Sequence, residues 1–173
     1  DPITISKIQN FPFVQSVKGI GLRTTNAQQP LINKFQERIS PIDSSQLIFQ
    51  RNTADFYNYG ASYAQVHIHE GEFLHNKGFR GETMHIGVLD AGFQQYKTLK
   101  AFDSIRLNGQ ILGERDFVAF DNSVNEDDSH GMYVLSIMST NWPNQMIGTS
   151  PKAKYWLIRT ENGPSEYPIE EFN

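Results

Sequence analysis

The most constraining stretch of the chain is the run Met84-His85-Ile86-Gly87-Val88-Leu89-Asp90-Ala91-Gly92-Phe93. A near-continuous apolar run without polar alternation predicts a strand over 83–90, buried on both faces of a parallel sheet. Asp90 would then emerge at the strand's carboxyl end, the edge of an open α/β sheet where ligands and catalytic groups collect. The second candidate for chemistry is His130-Gly131, forty residues on. Any activity read from this chain depends on whether the two meet.

Size and charge narrow the field. At 173 residues the chain can hold one domain with a sizeable core, or part of a larger one. Nineteen Asp and Glu against fifteen Lys and Arg give a formal net charge of −4, which argues against nucleic acid and anionic membrane as main partners. No apolar run is long enough to span a membrane. Cysteine is absent, so disulfides, thiol catalysis and cysteine-ligated zinc are excluded. The chain opens on Asp1, which reads as a processed end, and no signal peptide is visible.

In chain order, residues 1–22 carry β-branched and aromatic residues broken by glycine and proline, as in Phe13-Val14-Gln15-Ser16-Val17, and read as short β material. Residues 23–58 have linker chemistry: Gln28-Gln29-Pro30, Ser40-Pro41 and Asp43-Ser44-Ser45. Leu31, Ile32, Phe35 and Ile39 place a short amphipathic helix inside it. So long a linker suits a junction between two units or a processing region. A structured unit spans 59–173, with a helix over 65–75 stopped at Lys77-Gly78 and another over 97–102. Residues 110–120 read as a strand kinked at the charged 114–116, followed by an acidic loop over 121–128. Ser129 is the expected N-cap of a helix from His130 to Thr140, buried through Val134, Leu135, Ile137 and Met138. Asn141-Trp142-Pro143-Asn144 ends that helix, Lys154–Arg159 is a second apolar strand, and Ser165 caps a last helix start. Strand, helix, strand, helix gives an α/β fold, a parallel sheet flanked by helices and incomplete within this chain.

Histidine is the commonest general base at neutral pH because its ordinary pKa is about 6.5. At a helix N-terminus the dipole disfavours the imidazolium by up to about 1–2 kcal/mol. An aspartate on the other ring nitrogen offsets that and fixes the tautomer. Asp90 and His130 therefore make a workable orienter and base, lacking a nucleophile. Taken alone, the pair also fits a surface histidine at a helix start and an acid capping a strand end.

Three segments in order shift that balance. Ile86-Gly87-Val88-Leu89-Asp90-Ala91-Gly92 resembles the aspartate motif of the subtilisin-like serine proteases, a strand ending Asp-(Ser/Thr)-Gly. Asp128-Ser129-His130-Gly131-Met132-Tyr133-Val134 resembles that family's His-Gly-Thr-x-Val helix start, and Gly148-Thr149-Ser150-Pro151-Lys152-Ala153 its Gly-x-Ala-Pro-x-Ala element. Ala91, Met132 and Ser150 depart from the pattern, and none of these changes removes a catalytic group. The resemblance covers about residues 75–173, the first half of such a catalytic domain. It implies a subtilisin-like fold and peptide-bond hydrolysis, with His130 as base and Asp90 as its orienter. It also implies a serine nucleophile and an oxyanion-hole asparagine in a C-terminal remainder of the same precursor, held as a second polypeptide. Alone, this chain is expected to be inactive and unstable.

Ser150 is a decoy: Gly148-Thr149-Ser150 spells the start of the family's nucleophile motif, but Pro151 follows where the family opens a long helix. The resemblance makes Thr160-Glu161-Asn162-Gly163 the lead into the edge that pairs with extended substrate, so Asn162 and Gly163 are candidate substrate-binding residues. Residues 3–22 resemble the last strands of an inhibitory propeptide, or else a family-specific N-terminal extension. The family often uses calcium, but Asp121, Glu126, Asp127 and Asp128 do not map onto its best-known site and read as a solvated loop. His67, His69, Glu70 and His75 read as solvent-facing side chains rather than a metal cluster, so no metal or other cofactor is assigned. A protein or peptide substrate and a secreted or bacterial envelope location follow from the same resemblance. The rivals are a catalytically silent binding module or processed fragment of the same fold, and a metal-dependent hydrolase built on Asp90, His130 and the acidic loop.

Overall fold

The computed structural model describes residues 2–17, 54–126 and 128–163. Three strands form one parallel sheet in the order β1-β5-β2: β1 is His85–Asp90, β2 is Ile111–Asp116 and β5 is Lys154–Arg159. The expected α/β architecture with a parallel sheet is therefore present. The connection from β1 to β2 carries a 3₁₀ turn, Lys100–Phe102, and helix α4, Asp103–Leu107. The connection from β2 to β5 carries helix α5, His130–Ser139, and a small hairpin of β3, Asn141–Trp142, and β4, Met146–Ile147.

Burial along β1 alternates, so the expectation of a strand covered on both faces fails among the described residues. Val88 and Asp90 point inward, while Leu89 stays 57% exposed. On β5, Tyr155 and Leu157 are buried and Trp156 is 46% exposed. Adjacent side chains leave opposite sides of a strand, so one sheet face carries the core and the other shows Leu89 and Trp156. Apolar side chains alone do not bury a face; a second layer must lie on it. The Trp156 ring lies over Gly113, where a Cβ would come within 2.6 Å of it, so β2 needs a glycine there. The inner face packs Val88, Tyr155 and Leu157 against Met132 and Leu135 of α5 and against Phe102 and Ile105. Leu135 is buried as expected of α5, and Val134 and Met138 pack, partly buried, against the same core; Gly131, Met132 and Ser139 are buried as well, and Ile137 is 48% exposed.

Other expectations are corrected locally. Residues 2–17 begin with helix α1, Pro2–Gln9, and not with strands. The helix expected over 65–75 is two, α2 (Tyr63–His67) and α3 (Gly71–Asn76), because Glu70 takes a left-handed φ of 52° between them. The helix expected over 97–102 starts later and continues to Leu107. The 114–116 segment is no kink: it completes β2, which ends where the Asp116 carboxylate accepts the N–H groups of Val118 and Ala119 at 2.6 and 2.7 Å. Asn141-Trp142 does not merely end α5 but pairs with β4. Tyr57 already packs with Tyr59, Val66 and Ile147 in a second small core, so packed structure begins before residue 59. The helices expected near 31–39 and after Ser165 lie outside the described residues. No helix among the described residues is long and apolar enough to cross a membrane.

Candidate active site

Asp90 ends β1 and His130 begins α5, and the fold brings them together. His130 Nδ1 lies 2.9 Å from Asp90 Oδ1 and 3.0 Å from Oδ2. A carboxylate can only accept, so Nδ1 carries the proton and Nε2 is left as the basic nitrogen. Asp90 is buried, and its Oδ1 also accepts the Ala91 N–H at 2.7 Å. Its backbone carbonyl accepts the Thr160 N–H at 3.0 Å, tying the strand end to the segment leaving β5.

Close approach of α5 to the β1 turn depends on Gly131. A Cβ there would fall 2.6 Å from the Gly92 carbonyl oxygen and 2.7 Å from Asp90 Cβ. Ser129 holds the N-cap position of α5, as expected, but the capping bond comes from another residue. Ser129 makes no side-chain cap bond; the Asp128 carboxylate accepts the His130 N–H at 2.8 Å instead. An anion at the N-terminus suits the helix dipole and satisfies one of the four unpaired N–H groups there.

The Gly148-Thr149-Ser150 segment sits at the other end of α5. The N–H groups of Gly148, Thr149 and Ser150 donate to the carbonyls of Thr140, Ile137 and Met138 at 2.8, 3.0 and 2.8 Å. They satisfy the orphan carbonyls of the helix C-terminus. Since α5 is ten residues long, roughly 15 Å separates Ser150 from the His130 end. The Ser150 carbonyl is further fixed by the Tyr155 hydroxyl at 2.7 Å. Asn162 and Gly163 follow β5 in irregular chain, two and three residues past the Thr160 contact with Asp90.

The histidine and acid clusters resolve into separate local contacts. His67 pairs with Glu72. His75, expected to face solvent, is buried: its Nε2 donates to the Thr149 carbonyl at 3.0 Å and its Nδ1 accepts from the Tyr59 hydroxyl at 2.8 Å. The cue for this was aromatic, since Tyr57 and Tyr59 both pack on its ring. In the acidic loop, Asp121 accepts the Ser123 N–H, Glu126 accepts the Ser123 hydroxyl and Asp128 caps α5. Asp127 lies outside the described residues. No group of three or more His, Cys, Asp or Glu side chains that could hold a metal ion occurs among the described residues.

Two residues beside the dyad escaped the sequence reading. Asp116 and Arg159 form a buried ion pair at 2.9 Å at the ends of β2 and β5. Burial works to raise the Asp116 pKa, but the Ala119 N–H, the Arg159 guanidinium and the Val118 N–H outweigh it and hold the carboxyl below its usual range.

No protein-family model matches the chain, and no curated protein matches it.

Proposed function

We propose that this chain carries the aspartate and histidine of a subtilisin-type serine endopeptidase. The observation that carries the proposal is the Asp90–His130 contact, formed between a strand end and a helix start forty residues apart. Asp90 holds the Nδ1–H tautomer. Nε2 then takes the proton from a serine hydroxyl as that oxygen attacks the scissile carbonyl, and later returns it to the leaving amine. The negative Asp90 stabilises the imidazolium formed in between. The serine and the oxyanion-hole donor come from the C-terminal remainder of the precursor, so this chain by itself hydrolyses nothing. The uncovered Leu89 and Trp156 face agrees with a chain that associates with a further layer. Extended peptide would run past Asn162 and Gly163, beside the Thr160 contact with Asp90. A secreted or envelope location belongs to the same proposal.

The test is labelling of the complete precursor assembly by a fluorophosphonate probe. Labelling lost in His130→Ala supports the protease. A complete, mature assembly that never labels moves the assignment to a non-catalytic binding protein of the same fold.

A further inference from the structure

Sheet register places three charged residues side by side at the carboxyl ends of the strands. Asp90 on β1 is opposite Arg159 on β5, which is opposite Asp116 on β2. Arg159 Nη1 donates to Asp116 Oδ2 at 2.9 Å, and the two side chains are only 12% and 1% exposed. The same guanidinium reaches the other way: its Nε donates to the Ala91 carbonyl at 2.9 Å. Ala91 is the residue whose N–H binds Asp90 Oδ1. Arg159 thus grips the far side of the residue that grips the candidate catalytic carboxylate.

Burying such a pair is costly. Desolvation of the two charges consumes much of their attraction, and well-packed apolar residues often replace buried pairs without loss of stability. Stability is therefore a weak reason to find one here, and its position beside the dyad is a better one. The geometry also requires arginine. A planar fork offers Nε and Nη1 to two acceptors at once, whereas the single nitrogen of lysine reaches one acceptor or the other.

We propose that Asp116 and Arg159 are positioning residues for the Asp90–His130 dyad. Asp116, itself held by the Val118 and Ala119 N–H groups, aims Arg159; Arg159 fixes the Ala91 carbonyl and so sets the direction of the Asp90 carboxylate. The catalytic meaning of this rests on the protease proposal, but the geometric claim does not.

The experiment compares wild type, Asp116→Asn, Arg159→Lys and a core control, Ile105→Val, by two measurements. The first is the NMR resonance of the His130 Nδ1 proton in the complete assembly. The second is kcat and KM of the complete protease. Expected for Asp116→Asn and Arg159→Lys is a displaced or exchange-broadened Nδ1 signal in an otherwise folded spectrum. A fall of roughly 10²-fold in kcat with KM little changed accompanies it, as misplacement by about an ångström gives. Ile105→Val lowers the melting temperature and leaves both readouts in place. Arg159→Lys keeps the charge and carries the test if Asp116→Asn does not fold. An unmoved Nδ1 signal with unchanged kcat in Arg159→Lys overturns the proposal, even if that variant melts earlier. A displaced signal with no serine-reactive labelling of the wild-type assembly keeps the positioning role and removes the protease. Labelling with an unmoved signal does the reverse.

Discussion

Gly131→Ala sets two effects against each other, and the geometry decides between them. Inside α5, alanine is intrinsically better than glycine by about 0.8–1.0 kcal/mol. Helix propensity alone therefore says the variant is more stable. The added Cβ, however, would stand 2.6 Å from the Gly92 carbonyl oxygen, 2.7 Å from Asp90 Cβ and 3.0 Å from Asp90 Cγ. One of these neighbours is backbone and the others belong to a buried side chain, so neither can swing aside. Restoring a carbon contact to about 3.5 Å requires the start of α5 to retreat by roughly 0.8 Å. Overpacking of this kind costs about 1–3 kcal/mol, and with two fixed neighbours the upper part of that range applies. Net of the propensity gain, the variant should lose about 1–2 kcal/mol, or roughly 2–8 °C in melting temperature. The same retreat lengthens the 2.9 Å Asp90–His130 contact toward about 3.7 Å, beyond hydrogen-bonding range. Thermal melts followed by circular dichroism give the stability, and the His130 Nδ1 proton resonance reports the dyad. A melting temperature equal to or above wild type, with the Nδ1 signal unmoved, would refute this account of why glycine follows the histidine.

The two faces of the sheet should respond oppositely to substitution. Leu157→Ala, at a fully buried position, should cost about 2–5 kcal/mol in urea unfolding, whereas Leu89→Ser, on the open face, should stay within about 0.5 kcal/mol. The reverse order would mean that the Leu89 face is covered in the isolated chain. Tyr59→Phe strands His75 Nδ1 without its donor in a buried site and should cost about 1–3 kcal/mol. Burial pushes the Tyr59 hydroxyl pKa up, so in wild type it remains a donor through the alkaline range, and the penalty should persist in melts from neutral to pH 10. The pKa of Asp116 is lower in the folded chain than in the unfolded one. Its stabilising contribution is therefore complete above the unfolded value of about 3.9 and is lost as pH falls through the folded one. Asp116→Asn should accordingly be destabilised at neutral pH, with the gap to wild type closing on acidification below about pH 4. A gap that stays constant across an acid titration would show that the carboxylate's charge contributes nothing.

Much of the site could be read before any fold was known, and the reasons are local. The apolar run into Asp90, the apolar run over Lys154–Arg159 and the helix start at His130 all show in composition and spacing, and each element formed within a few residues of its expected place. Ser150 could be dismissed because Pro151 follows it, and it lies at the opposite end of α5 from His130. Where local signals competed, they misled. Ser129 and Asp128 are both good cap residues in sequence; in the fold Ser129 takes the N-cap position while the Asp128 carboxylate accepts the His130 N–H. Glu70 broke one expected helix into two by adopting a left-handed conformation, and the neighbouring Gly71 was the local sign of the break.

The amino-acid sequence by itself determined which segments are apolar enough to become strands and where an acid and a base stand at their ends. It also excluded thiol and disulfide chemistry. Tertiary structure alone decided who meets whom. Register set Asp90, Arg159 and Asp116 in one row, though they lie up to 69 positions apart in the chain (159 − 90 = 69). Layering decided that Leu89 and Trp156, as apolar as their buried neighbours, face outward. The physical reason is that hydrophobicity and backbone preference belong to a residue and its near neighbours, whereas burial and partnership belong to what the rest of the chain places against it.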